Sequence, residues 1–227
     1  MHSRNLRVLP FASTGIAATL MEGGRTAHSG FGIPLSLDEA SISNIKPHTD
    51  KGRLLFRSNL IIIDEITMLN KQGLRVINEL LQRIMNNQLP FGGKTVVVSG
   101  DFRQTLPVLK GATRAGIVEA CLKKSSLWRN FVELSLVSNM RSVGQNMYNN
   151  WLLDVGIGNT PHILGLNTDV VQIPTEMIVV ESEDLIKTIF TNNIRNLTED
   201  DLAERVILCT TNNNCLEINN KIIEELP

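Results

Sequence analysis

Two carboxylates stand at the end of an uninterrupted apolar run, Leu60-Ile61-Ile62-Ile63-Asp64-Glu65. Such a run suits a parallel strand covered on both faces, and open α/β sheets bind their ligands where those strands end. Adjacent side chains there point in different directions. Asp64 is suited to hold Mg2+, directly or through water, and Glu65 to polarise a water that attacks a γ-phosphate. The plain alternative is a strand that ends in charged turn residues. A second run, Val96-Val97-Val98-Ser99, ends the same way at Gly100-Asp101-Phe102-Arg103-Gln104. Gln104 carries both a donor and an acceptor and suits γ-phosphate sensing or the orienting of water. Two strands that end in such groups, with one helix between them, make a stronger signal than either alone. A third segment, Ala12-Ser13-Thr14-Gly15-Ile16-Ala17-Ala18, is followed by Gly23-Gly24-Arg25-Thr26-Ala27-His28-Ser29. Ser13 or Thr14 caps a helix whose exposed N–H groups can seat a phosphate, and Arg25, Thr26, His28 and Ser29 add donors in one short loop. An ordinary N-cap and a polar turn would have the same residues.

The elements that must position these groups follow from the hydrophobic pattern. Arg7 to Ala12 reads as a strand in which Pro10 argues against a well-paired centre. A helix runs from Ser13-Thr14 to Met21 and is closed by Gly23-Gly24. Residues 30 to 52 read mainly as irregular connection. After the strand at Leu60 to Ile63, the segment Leu69 to Asn87 is a helix with Leu74, Ile77, Leu80, Leu81 and Ile84 on one face at 3.6 spacing, a stripe read as core packing. Thr95 to Ser99 is the next strand. Further strands are expected at Val132 to Val137 and Arg205 to Thr210, with helices at Met147 to Val155 and Asn213 to Leu226. Alternation at this period gives an α/β fold with a mainly parallel sheet.

Composition narrows the class. The chain has 227 residues, 42% hydrophobic and 20% charged, with a formal charge of −1. That length allows one large domain or two small ones. No stretch approaches a membrane span, and the N-terminal residues show no secretory pattern. Three cysteines (Cys121, Cys209, Cys215) make no disulfide framework and suit a reducing compartment; Cys209 and Cys215 are expected to be buried thiols. The near-neutral charge excludes a histone-like nucleic-acid binder but leaves room for a locally basic groove. His48 and His162 have no second ligand at metal spacing and read as surface or turn histidines. Trp128 and Phe131 have the chemistry to stack on bases but fit core packing better.

Taken in order, these segments resemble the Pif-type (petite integration frequency) superfamily-1 DNA helicases, and most closely the helicase domain carried by Helitron transposons. Ala12 to Ala18 matches motif Ia, and Gly24-Arg25-Thr26-Ala27-His28-Ser29 the next DNA-contact motif. Ile62-Ile63-Asp64-Glu65 matches the Walker B strand, and Gly100 to Gln104 with Leu106-Pro107-Val108 matches motif III. Leu136-Val137-Ser138-Asn139-Met140-Arg141 resembles motif IV, whose arginine touches the γ-phosphate in that family. Trp151 to Gly158, Ile207 to Asn212 and Ile218 to Ile222 fit in order and spacing.

The resemblance implies RecA-like parallel sheet architecture of the P-loop NTPase type, with residues 1–135 a partial first motor domain and 136–227 the start of a second. It implies ATP and Mg2+ as cofactors and single-stranded and forked DNA as partners, with no membrane. Asp64 would serve Mg2+, Glu65 the attacking water, Gln104 γ-phosphate sensing, and Arg141 as arginine finger. Ser13, Thr14, Arg25, Thr26, His28 and Ser29 would contact DNA. The implied activity is ATP-dependent translocation on a single strand with duplex unwinding, and the implied roles lie in DNA repair, recombination and telomere or transposon maintenance. The compartment implied is intracellular, the nucleus first and the mitochondrion second. One departure stands out: the family's G-x-x-x-x-G-K-[ST] phosphate loop has no counterpart in these residues. Gly92-Gly93-Lys94-Thr95 reads instead as a hairpin-like turn. The expected explanation is a fragment whose phosphate loop falls upstream of Met1 and which stops before the C-terminal motifs. Two other classes stay open, a catalytically dead single-stranded-DNA-binding remnant and a P-loop ATPase of non-helicase type.

Overall fold

The computed structural model describes residues 6–104, 107–109, 111–161, 163, 165–167, 170–179, 185–190 and 194–225. Strands β1 (Val8–Ala12), β2 (Arg25–Thr26), β3 (Leu60–Asp64) and β4 (Thr95–Val98) form one parallel sheet in the order β2-β1-β3-β4. Register fixes what the ends of the strands share. Ala12 lies opposite both Thr26 and Asp64, and Ile63 lies opposite Val98. The sheet is therefore parallel and α/β, as the alternation requires.

Pro10 fits an interior strand because of the ladder's alternation. The bonds from Leu60 N–H to Arg7 O and from Ser13 N–H to Asp64 O give the odd-numbered residues of β1 to β3. Pro10 thus faces β2, which pairs only with Phe11 and Ala12. No ladder bond is lost.

Helix α4 (Lys71–Met85) follows β3 through a 3-10 turn at Ile66–Met68. Its expected stripe is the core: Leu74, Ile77, Leu80, Leu81 and Ile84 are buried with Ile61, Ile63, Phe11 and Phe31. Asn70 caps the helix, its Oδ1 accepting from Gly73 N–H at 2.9 Å. Helix α1 (Gly15–Thr19) is one turn long, and α2 (Ala27–Phe31) follows β2 directly. Gly30 is needed there, because a Cβ would stand 2.2 Å from the Phe11 ring. Helix α3 (Asp50–Arg57) begins inside the stretch expected to be irregular. Gly92-Gly93 is not a hairpin-like turn. It closes a 3-10 turn (Pro90–Gly93) that carries the chain from α4 back into β4, while Lys94 donates to the carbonyls of Phe56 and Ser58, each at 2.6 Å. Neither is it a phosphate cradle, since no helix follows it.

Beyond β4 come α5 (Arg114–Ala120) and α6 (Asn146–Ile157). The strand expected at Val132 to Val137 does not form. The segment has no ladder partner among the described residues, and Val132, Leu134, Leu136 and Val137 are 85–101% exposed. An alternating apolar pattern favours extended backbone but becomes a strand only beside another edge. Trp128 and Phe131 belong to the core, as expected: with Phe102 and Phe91 they make edge and tilted ring contacts at 5.3–5.6 Å.

The chain divides into two compact units, 1–159 and 160–227. The boundary expected near 135 falls inside the first. In the second unit α7 (Leu185–Phe190), α8 (Glu199–Ala203) and α9 (Asn212–Glu225) surround a small cluster of Ile186, Phe190 and Ile194, with Ile207, Ile218 and Ile222 packed on it. Arg205 to Thr210 is not a strand: Ile207 packs on the cluster, while Val206 and Leu208 stay exposed, and the segment has no partner strand among the described residues. Cys121 is buried, but Cys209 is half-buried and Cys215 exposed, so neither is the buried thiol expected. His48 is exposed, and His162, Leu106 and Leu226 lie outside the described residues. Among the described residues no helix is long and apolar enough to cross a membrane.

Two backbone positions test this account. Phe91 holds a left-handed φ of 54° because its N–H donates to the buried Asn78 Oδ1 at 2.7 Å. Asn78→Ala leaves that buried N–H unsatisfied and lowers the unfolding free energy by about 1–3 kcal/mol in urea titration. Glu65 also sits at φ 52°, where a Cβ costs roughly 1–2 kcal/mol. Glu65→Gly is therefore expected to be about 1 kcal/mol more stable than Glu65→Ala; equal midpoints would show that no strain is stored there.

Candidate functional site

Asp64 is the last residue of β3, and its main chain and side chain join three strands. Its carbonyl accepts from Ser13 N–H at 3.0 Å, beyond the end of β1. Its Oδ1 accepts from Glu65 N–H at 2.9 Å and from the Ser99 hydroxyl, beyond the end of β4, at 2.6 Å. Ser99 in turn donates its N–H to Ile63 O and accepts from Ile66 N–H at its own carbonyl. Both side-chain donors fall on Oδ1, so Oδ2 is left for another partner. No lysine, arginine or histidine among the described residues pairs with Asp64. A half-buried carboxylate with one oxygen free and no cation beside it fits a divalent ion that keeps most of its water. Among the described residues no group of three His, Cys, Asp or Glu gathers to form an all-protein metal cage.

Glu65 comes next, and its left-handed backbone turns the chain from β3 into the Ile66–Met68 turn. On the neighbouring strand, Gly100 lies close to that turn: a Cβ there would stand 3.0 Å from the Thr67 methyl carbon. Asp101 then accepts from the Arg103 N–H and Nε at 3.0 and 2.9 Å, and this guanidinium holds its carboxyl below the usual range. The Asp101–Arg103 contact ties the short loop that ends at Gln104, whose side chain is exposed.

The two remaining polar segments leave the same edge of the sheet. Thr14, rather than Ser13, caps α1, its Oγ1 accepting from Ala17 N–H at 3.2 Å. Ser13 Oγ is buried without a hydrogen-bond partner among the described residues. Thr26 caps α2 by accepting from Ser29 N–H at 3.2 Å. A capping oxygen keeps its own hydrogen to donate, so both threonines remain donors toward an anion. Arg25 and Ser29 are exposed and His28 is half-buried. These residues are a strand-to-helix junction, not the single polar loop the sequence suggests.

The sheet thus brings Ser13, Thr14, Thr26, Asp64 and Glu65 to one edge, together with the loop leading to Gln104. Arg141 stands apart, in an exposed turn after the unpaired 132–137 segment. Its guanidinium makes no ion pair or hydrogen bond among the described residues, although its N–H is held by Asn139 Oδ1 at 2.9 Å. Sequence reasoning missed Ser99 and Lys51. Parallel register was the available signal for Ser99, since two strands paired at Ile63 and Val98 must place Ser99 beside Asp64. Lys51 donates from α3 to Ser29 O at 2.9 Å and adds a cation beside the Arg25–Ser29 junction; nothing in the sequence signalled it.

Residues 1–163 match the PIF1-like helicase family. Among curated relatives, an ATP-dependent DNA helicase Pif1 of Psychrobacter is 42% identical over 110 residues, 48% of this chain and 16% of that protein. The ATP-dependent DNA helicase PIF1 of Candida albicans is 34% identical over 159 residues, 66% of this chain and 17% of that protein. Bacteroides Pif1 bound to single-stranded DNA superposes with a TM-score of 0.61 at 28% identity, covering 70% of this chain and 38% of that one. The chain therefore spans a minor part of the proteins it matches. Its RecA-like α/β sheet, the carboxylate pair at the end of β3 and the matched residues agree: the chain belongs to the PIF1-like helicase family.

Proposed function

We propose that this chain is part of an ATP-dependent DNA helicase that couples hydrolysis to movement along single-stranded DNA and to duplex unwinding. The observation that carries the proposal is the shared sheet edge: four parallel strands release an acid pair, a Gly-Asp-Phe-Arg-Gln loop and two capped helix starts on one side. Similarity to Pif1 structures in complex with ADP-AlF3 and single-stranded DNA supports both ligands.

In this proposal Asp64 would hold Mg2+ of the bound nucleotide, its carboxylate kept in orientation by the Ser99 hydroxyl and the Glu65 N–H. Bound there, the ion neutralises charge on the phosphate oxygens. Glu65 accepts the proton of the attacking water, and Gln104 orients that water or the γ-phosphate. Arg141, unpaired and exposed, reaches the transferring phosphoryl group. Ser13, Thr14, Arg25, Thr26, His28 and Ser29 meet the DNA backbone, with Lys51 beside them. Residues 1–135 are part of the first motor domain and 136–227 the start of the second. In this reading the protein works on forked DNA in the nucleus, as part of repair, recombination, telomere or transposon maintenance, and what supports it is likeness to relatives named ATP-dependent DNA helicases, fungal ones among them.

Hydrolysis also needs a loop that cradles the β- and γ-phosphates, and these 227 residues contain no G-x-x-x-x-G-K-[ST] run. The purified chain is expected to release phosphate at background with or without single-stranded DNA, since losing even one charge-stabilising donor removes ~10²–10³ in rate. It should still bind single strands without base preference. That affinity should fall by roughly 0.7 log units per log unit of salt for each neutralised phosphate. Unchanged binding after Arg25→Ala with His28→Ala would reduce these residues to ordinary turns.

The activity itself is tested by joining the phosphate-loop strand and helix of the Candida albicans relative upstream. DNA-stimulated turnover should appear and vanish with Asp64→Asn or Glu65→Gln. Arg141→Ala should lower turnover by ~10³ or more while nucleotide affinity and melting temperature stay near their starting values. A folded graft with no DNA-stimulated turnover would overturn the helicase proposal. Turnover within a few-fold of the parent in Arg141→Ala would remove Arg141 from it.

A further inference from the structure

Arg141 sits in a turn that has no strand partner among the described residues, and an arginine on a loose turn would reach any target only rarely. The turn is not loose, because a small set of amide and hydroxyl groups fastens it to helix α6. Asn149, in the first turns of that helix, donates from Nδ2 to Ser142 O at 2.9 Å. Its Oδ1 accepts from Asn139 Nδ2 at 2.9 Å and from the Ser142 hydroxyl. Asn139 passes this restraint on: its own Oδ1 accepts from the N–H groups of Arg141 at 2.9 Å and Ser142 at 3.3 Å. Gln145 N–H also donates to Ser142 O at 3.2 Å, where the chain enters the helix. Every bond in the set falls on the backbone or neighbours of Arg141, and none touches its guanidinium.

We propose that Asn149 is a positioning residue for Arg141, holding the 139–142 turn against α6 so that the guanidinium is presented from a fixed backbone. The inference rests on the reading of Arg141 as the residue that reaches the phosphoryl group. An asparagine suits this work. One planar carboxamide both donates and accepts, so it grips Ser142 from two sides and still orients Asn139. A side chain locked by packing and hydrogen bonds is what a functional group needs behind it to hold its geometry. Asn149 is half-buried on the surface of α6 and belongs to no buried cluster, so its bonds serve the turn rather than the core.

The restraint is tested directly on the 227-residue chain by amide hydrogen exchange resolved by NMR. Asn149→Ala should reduce protection of the Arg141 and Ser142 amides by about tenfold, the loss of roughly one net hydrogen bond. Amides in β3 and α4 and the melting temperature should not move. Ser142→Ala, which removes only part of the set, should give a smaller loss and carries the test if Asn149→Ala perturbs α6. Unchanged protection in both variants would overturn the proposal.

Consequence for turnover is read in the graft with a restored phosphate loop. Asn149→Ala should lower kcat by about tenfold or more with KM for ATP unchanged, and should add no further loss in the Arg141→Ala background, since groups acting as one unit are not additive. Full activity of Asn149→Ala, or losses that simply add, would overturn the positioning role. If Arg141→Ala alone leaves turnover intact, the reading of Arg141 fails instead, and hydrogen exchange still decides whether Asn149 holds the turn.

Discussion

The structure depends on how strand β3 distributes its hydrogen bonds. In a parallel sheet each strand gives alternate residues to each neighbour. Leu60, Ile62 and Asp64 bond toward β1, and Ile61 and Ile63 toward β4, a division anchored by Ser13 N–H on Asp64 O and Ser99 N–H on Ile63 O. Because Asp64 ends the β1 ladder and Ser99 continues the β4 ladder, Asp64's side chain meets Ser99's hydroxyl without any further device. The site carboxylate is oriented by the same bonds that hold the sheet. Pro10 is tolerated in β1 for the same reason, since its missing donor faces the side where β2 has not yet begun.

The most legible parts of the sequence are those where burial repeats along the chain. The stripe of α4, the apolar runs of β3 and β4 and the carboxylates that end β3 all follow from residues a reader can count. Val132 to Val137 and Arg205 to Thr210 are also rich in apolar residues yet are not strands. Their pattern is a local preference, and a strand also needs an unsatisfied edge to bond to. Contacts across long sequence gaps were invisible for a different reason. Lys51 meets Ser29, and Asn149 holds Asn139 and Ser142, through geometry that no periodicity encodes. Ser99 lies between these cases, since parallel register would have placed it beside Asp64 once the two strands were paired.

Charge in this molecule is arranged locally rather than globally. A formal charge of −1 gives no general attraction to a polyanion. Around the Arg25–Ser29 junction, however, the exposed Arg25, the Lys51 ammonium and the hydroxyl hydrogens of two capping threonines all act as donors. Several other cations are engaged in ion pairs: Lys71 pairs with Glu119 at 2.6 Å, Arg75 with Glu79 at 2.8 Å, and Arg103 with Asp101 at 2.9 Å.

Groups at this edge and in the Arg141 turn also share a departure from what stability alone would favour. Glu65 keeps a left-handed backbone that glycine would adopt more easily. Among the described residues Ser13 Oγ is buried without a partner, and the Arg141 guanidinium has no ion pair or hydrogen bond while its backbone is held by Asn139. Strain and a buried unsatisfied hydroxyl each disfavour the folded state by a small amount, and an exposed guanidinium without an ion pair adds nothing to its stability. Their surroundings restrain them instead of relieving them: Ser99 and Gly100 hold the turn at Glu65, the β1–β3 ladder fixes Ser13, and Asn139 with Asn149 fixes Arg141. Rigid support around groups that gain nothing from the fold itself is the pattern expected where a polypeptide is shaped for a ligand.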